Sequence, residues 1–128
     1  MEIETLDHLV LTVADIAETT ASYERVLGMT AVSFGTGRTA LRFGTQKINL
    51  HQAGQEFEPK ALCPTPGSAD LCCLTTVPLQ AVIAHLAACA IAIEEGPVRR
   101  TGVEGPLLSV YIRDPDGNLI ELSNRIRD

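Results

Sequence analysis

Three polar side chains interrupt runs that otherwise read as apolar strands. His8 stands in TLDHLVLTV (5–13), His51 near the end of KINLHQ (47–52), and Glu121 in NLIELSN (118–124). Two imidazoles and a carboxylate suit a divalent metal such as Zn, Fe, Mn, Ni or Co. With open positions, the same donors can activate oxygen at iron. Asp70 is the nearest candidate for a fourth donor, because alternation sets Asp70, Cys72 and Leu74 on one strand face. Each residue also has a plainer reading. A strand histidine can be a hydrogen-bonded structural group. Glu121 can pair with Arg113 or Arg125, and Asp70 can cap a turn after Gly67-Ser68. Arg38, Arg100 and Arg113 are the cations best suited to a substrate carboxylate, since a guanidinium forks onto two oxygens. Arg100 is the first choice, in a loop that Gly102 and Gly105 leave free to close.

These residues need elements to position them. TLDHLVLTV alternates as a strand, with Leu9, Leu11 and Val13 on one face. Asp15 then offers an N-cap, and Ile16, Thr20, Tyr23 and Leu27 make a helical stripe that Gly28 ends. Three strands follow at 29–34, 38–43 and 47–51, split by Gly-containing turns. After a Pro- and Gly-rich connection the order repeats: a strand at 70–75, a helix opened by Pro78, and strands at 91–94, 107–113 and 119–123. The stretch 96–105 reads as a polar loop, and Asp114-Pro115-Asp116-Gly117 as a tight turn. The expected class is α+β, with two tandem βαβββ modules forming a mixed, cupped sheet cleft and helices outside. The whole is one domain over 1–128, with module one at about 4–52, a linker at about 53–68 and module two at about 69–125.

Composition narrows the classes of function. The net charge of −6 argues against a nucleic-acid binder. Five aromatics and no Trp argue against a stacking platform. No apolar run reaches the roughly 20 residues of a membrane span, and the acidic N-terminus does not look like a secretion signal, so a cytoplasmic protein is expected. The four cysteines form no CxxC and read as buried structural thiols.

The segments LDHLVLTVADI, YERVLGM, ALRFGTQKINLHQ and RDPDGNLIELSN resemble the vicinal oxygen chelate superfamily, which unites glyoxalases, bleomycin-resistance proteins and extradiol dioxygenases. The chain is also similar to its glyoxalase-domain-containing group, with lactoylglutathione-lyase-like and virulence-associated members. The resemblance implies a divalent-metal site on His8, His51, Asp70 and Glu121, with Glu121 also the proton-moving base. It departs at Asp70/Leu71, where family enzymes usually carry His. The function implied is a metal-dependent lyase or isomerase of the glyoxalase type, acting on a small chelatable oxygen compound. The alternatives are an extradiol-type dioxygenase or an epimerase, or a metal-free ligand-binding module. The expected partners are a small-molecule substrate and a second copy in a homodimer, with neither nucleic acid nor membrane.

Overall fold

The computed structural model describes residues 1–127. The chain forms two compact units, the first Met1–Gly67 and the second opening at Ser68. The first holds β1 (His8–Val13), α1 (Ile16–Leu27), β2 (Thr30–Phe34), β3 (Arg38–Phe43) and β4 (Gln46–Gln52). The second holds β5 (Asp70–Leu74), α2 (Leu79–Ala88), β6 (Glu95–Thr101), β7 (Pro106–Arg113) and β8 (Leu119–Arg125). Each unit is a βαβββ module with one four-stranded mixed sheet, ordered β1-β4-β3-β2 and β5-β8-β7-β6. In both, the first strand runs parallel to the last, and the other pairs are antiparallel.

Local chemistry explains the elements. Asp15 accepts a hydrogen bond from the Glu18 amide at 2.9 Å and so caps α1. Gly28 closes that helix in the left-handed region at φ 67°, where a Cβ would be strained. The buried stripe of α1 is Thr19, Tyr23 and Val26; of the expected Ile16, Thr20, Tyr23 and Leu27, Tyr23 is fully buried and the others are half-buried. Around Tyr23 the core of this unit gathers Leu11, Val13, Leu41, Ile48 and Leu50. The second core gathers Leu79, Val82, Leu86, Val110, Ile112 and Ile120.

The two modules share a device that their sequences hide. Pro78 precedes α2 with no side-chain cap of its own. Asn124, in β8, reaches over instead: its Oδ1 accepts from the Leu79 amide at 2.7 Å, and its Nδ2 donates to the Thr75 and Val77 carbonyls at 2.9 Å. In the first module Gln52, the last residue of β4, does the same work. Its Oε1 accepts from the Ile16 amide at 3.2 Å and its Nδ2-equivalent Nε2 donates to the Ala14 carbonyl. Orphan amides of a helix start are thus met from the end of the last strand in both modules.

The second strand of module two is a correction. The 91–94 stretch precedes the strand, and β6 runs over Glu95–Thr101, in what reads as a polar loop. Its polar residues suit an edge strand, which needs only one paired side and keeps its side chains largely exposed. Arg99 and Arg100 are therefore strand residues. The turn is shorter than expected, closed by the Gly102 amide on the Gly105 carbonyl at 2.8 Å. The thiols are a second correction: Cys63 and Cys72 are exposed and Cys73 and Cys89 half-buried, all four free.

Candidate functional site

The DPDGN turn sets the frame of the second module. Asp114 Oδ1 accepts from the Asp116 and Asn118 amides at 2.9 and 2.8 Å, and Oδ2 accepts from Asn118 Nδ2 at 2.8 Å. Buried Asn118 then takes the Ala69 amide on its Oδ1 at 2.8 Å. That bond locks the start of β8 beside the start of β5. The resulting register sets Glu121 directly beside Cys72, and across β7 directly beside Tyr111. Side chains that share a register row point to the same sheet face.

One face of this sheet consequently reads as rows. Arg100, Leu107 and Arg125 make the first row across β6, β7 and β8. Val98, Ser109, Ser123 and Leu74 make the second. Glu95, Tyr111, Glu121 and Cys72 make the third.

Hydrogen bonds link these rows into a relay. Ser109 Oγ donates to Glu121 Oε2 at 2.6 Å. Ser123 Oγ lies 2.6 Å from Ser109 Oγ, and Cys72 Sγ lies 3.5 Å from Ser123 Oγ. Each hydroxyl has one proton. With Ser109 committed to the carboxylate, Ser123 has two acceptors for its one proton, Ser109 Oγ and Glu121 Oε2 at 3.3 Å, and Cys72 Sγ shares a hydrogen bond with it. Partial desolvation of its sulfur, although the residue is exposed overall, pushes the Cys72 thiol above its ordinary value and keeps it protonated. Both serines are wholly buried. The relay ends on Oε2 and leaves Oε1 as the second acceptor of the carboxylate.

A cation approaches from the other side. Arg100 Nε donates to Tyr111 Oη at 2.9 Å, and Arg100 Nη2 pairs with Glu95 at 3.3 Å. Burial and then the Glu121 carboxylate raise the Tyr111 phenol, with Arg100 pulling the other way, so the ring stays a neutral donor beside Glu121. Cys72, Leu74, Arg100, Leu107 and Glu121 line a cavity of about 680 Å³ within this unit, a size ordinary for small-molecule sites. Arg125, Arg127 and Glu104 complete its charged wall.

The residues expected from the sequence divide. Glu121 and Arg100 meet on this cavity. Asp70 lies on the same face as Glu121 but two register steps away, and is exposed. Arg113 is not on the cavity wall: it forks onto Glu94 at 3.1 and 3.0 Å and donates to the Gly117 carbonyl. In the first module Arg38 is held by aromatic faces, its guanidinium carbon 5.1 Å from the Phe34 centroid and 4.7 Å from that of Phe57.

His8 and His51 share a face of the first sheet, yet the register pairs His8 with Lys47 and Thr12 with His51. Four residue steps separate them, about 13 Å along the strands. Metal–imidazole bonds of about 2 Å leave no ion within reach of both. His51 is buried, with Nε2 3.5 Å from Arg38 Nη2 and its ring edge-on to Phe57. Burial and the Arg38 charge hold its imidazole below the ordinary value, while Glu56 and Glu58 pull it up. His8 is exposed and paired with Asp7 at 2.8 Å. The register thus sets His8 and His51 four residue steps apart on that face. Among the described residues no group of three or more His, Cys, Asp and Glu side chains is placed to hold one.

The internal repeat relates the two sheets position by position. Gln52 and Asn124 are equivalent by their capping role, which makes His51 the counterpart of Ser123 and Asn49 the counterpart of Glu121. Asn49 is buried and its Oδ1 has no hydrogen-bond partner. Ser109 and Ser123 were also missed, although hydroxyls in the apolar strands PLLSVYIR and LIELSNR, with Ser123 two places from Glu121, were a visible signal.

Comparison with known proteins extends the picture. The profile described as Glyoxalase/Bleomycin resistance protein/Dioxygenase superfamily matches residues 5–122. Virulence protein STM3117 of Salmonella typhimurium is 58% identical over 98% of this chain and 88% of its own length. Its crystal structure superposes with a TM-score of 0.97, covering 98% of this chain and 100% of that one. Glyoxalase domain-containing protein RDO1 of Mycosarcoma maydis is 56% identical over 97% of this chain and 70% of its own length. An integron cassette protein of V. cholerae shows 60% identity and a TM-score of 0.97, with 98% of each chain covered. A match that spans nearly every strand, together with the repeated βαβββ order, makes this chain a member of the glyoxalase/bleomycin resistance protein/dioxygenase superfamily.

Proposed function

We propose that the chain binds a small, oxygen-bearing anion in the cavity of its second module and moves a proton on it, in the manner of a glyoxalase-type lyase or isomerase. The observation that supports this reading is Glu121, fixed on Oε2 by the serine relay and standing on the cavity wall with Arg100. Oε1 is the base that takes a proton from a carbon next to a carbonyl and returns it to the neighbouring carbon. Arg100, held by Tyr111 and Glu95, attracts the carboxylate or developing enolate oxygen. Ser109 and Ser123 hold the carboxylate in one orientation and follow its change of charge as it is protonated. Divalent metals serve many superfamily members; elemental analysis of the purified protein is the companion measurement.

Chemical-shift mapping with small 2-oxo and 2-hydroxy acids tests the location. The expected shifts centre on Cys72, Arg100, Leu107 and Glu121, and Arg100→Gln removes them. Shifts confined to the first module, or unchanged in that variant, would refute the reading. A ligand-sequestering module is the second reading, favoured by a cavity of drug-ligand size. It predicts the same shifts with no turnover.

A further inference from the structure

The first row of the cavity face carries charge that the proton-transfer chemistry does not use. Arg100 and Arg125 flank Leu107 in register, about 10 Å apart across two strand spacings. They are not equivalent. Arg100 leans over the second row onto Tyr111, so its charge serves the Glu121 end. Arg125 lies four residues beyond Glu121 on the same strand, about 13 Å along it, and on the same face. Arg127 follows just past the strand end, where the Ile126 amide ties the chain to the Pro106 carbonyl at 3.0 Å. Both arginines are exposed and line the cavity, and between them and Glu121 stand the apolar Leu107 and Leu74. Glu104 is the one acid on that rim; the other acid of the wall is Glu121 itself.

We propose that Arg125 and Arg127 form a second anion subsite, so that the substrate carries a carboxylate or phosphate at the end remote from its reacting carbonyl. An apolar stem joins the two ends and lies over Leu107 and Leu74. This deepens the function proposed above and rests on it for the identity of the reacting end. Two guanidiniums suit such an oxyanion because each offers a planar fork of donors. The subsite also resolves how an acidic chain, at −6, takes an anionic ligand: the cavity wall gathers three arginines against two acids.

Calorimetric titration of the full chain tests it, with butyrate as monoanion, the α,ω-dicarboxylates from succinate to suberate, and 4-phosphonobutyrate. The wild type is expected to bind the longer dianions about tenfold more tightly than butyrate, one charge-assisted contact being of that order. Arg125→Gln/Arg127→Gln should bring dianions within twofold of butyrate and leave butyrate unchanged. Arg99→Gln, on the opposite face of β6, should change neither. Which dianion gains more separates a carboxylate tail from a phosphate tail. Equal binding of monoanion and dianion by the wild type, no binding of either, or a dianion preference that survives in the double variant would overturn the subsite. The proposed function fails separately: Arg100→Gln would then leave every titration unchanged while the dianion preference still depends on Arg125 and Arg127.

Discussion

At the scale of single residues, the account turns on what holds Glu121. Its Oε2 is the terminus of a relay of one-proton donors, and removing a member leaves a buried neighbour unsatisfied. Ser109→Ala should cost about 1–3 kcal/mol in urea unfolding, the usual penalty for stranding a buried polar group. Ser123→Ala should cost a similar amount by stranding the same chain of hydroxyls. His51 gives a pH signature. Its pKa is lower folded than unfolded, so the unfolded chain binds more protons in between. The stabilisation is complete above the ordinary imidazole value of 6.5 and is lost as pH falls through the folded value. Unfolding free energy should therefore decline on acidification below about pH 6.5, and His51→Phe should flatten that part of the profile. An unchanged profile in the variant would place the effect elsewhere. His51→Ala should also leave the divalent-metal content of the purified protein, measured by elemental analysis, unaltered. A loss of metal in that variant would contradict the register argument that separates His51 from His8.

At the scale of elements, the site depends on side chains that tie strand ends together. Asn118 joins the DPDGN turn to the start of β5, and Asn124 caps α2 from β8. Asn118→Ala should lower stability by about 2–3 kcal/mol, because it strands the Ala69 amide and removes the Nδ2 bond to Asp114 Oδ2 at a part-buried turn. Asn124→Ala and Gln52→Ala should each cost about 1 kcal/mol, as helix caps do. Element order was legible because apolar alternation and turn chemistry agree in most of the chain, as in TLDHLVLTV and RDPDGNLIEL. It failed at Glu95–Thr101, where an edge strand carries Arg99 and Arg100 with no apolar alternation to read. Glu121 was legible as a carboxylate inside an apolar strand. The relay was not, since the pairing of Ser109 with Ser123 is a property of register across a hairpin, fixed by the turn rather than by either strand. The same reason explains His51: a strand histidine was visible, but its offset from His8 is a property of how β1 and β4 align.

At the scale of the whole molecule, two modules of about 60 residues each would be marginal alone. Each sheet ends in strands with one unpaired edge within its own unit. Such edges invite pairing between chains. We propose a homodimer in solution, and light scattering after size exclusion should return twice 13.7 kDa. A mass of 13.7 kDa across the micromolar range would refute it. No helix among the described residues is long and apolar enough to cross a membrane.

The central claim is that Glu121 moves a proton on a ligand held in the second module. Proton NMR of a 2-oxoaldehyde hemithioacetal incubated with the protein in D2O, with and without added divalent metal, tests it most directly. The wild type should exchange solvent deuterium into the carbon next to the carbonyl, and Glu121→Gln should slow that exchange by at least about 10²-fold. Exchange at the wild-type rate in Glu121→Gln, or none in either protein under any metal condition, would contradict the account.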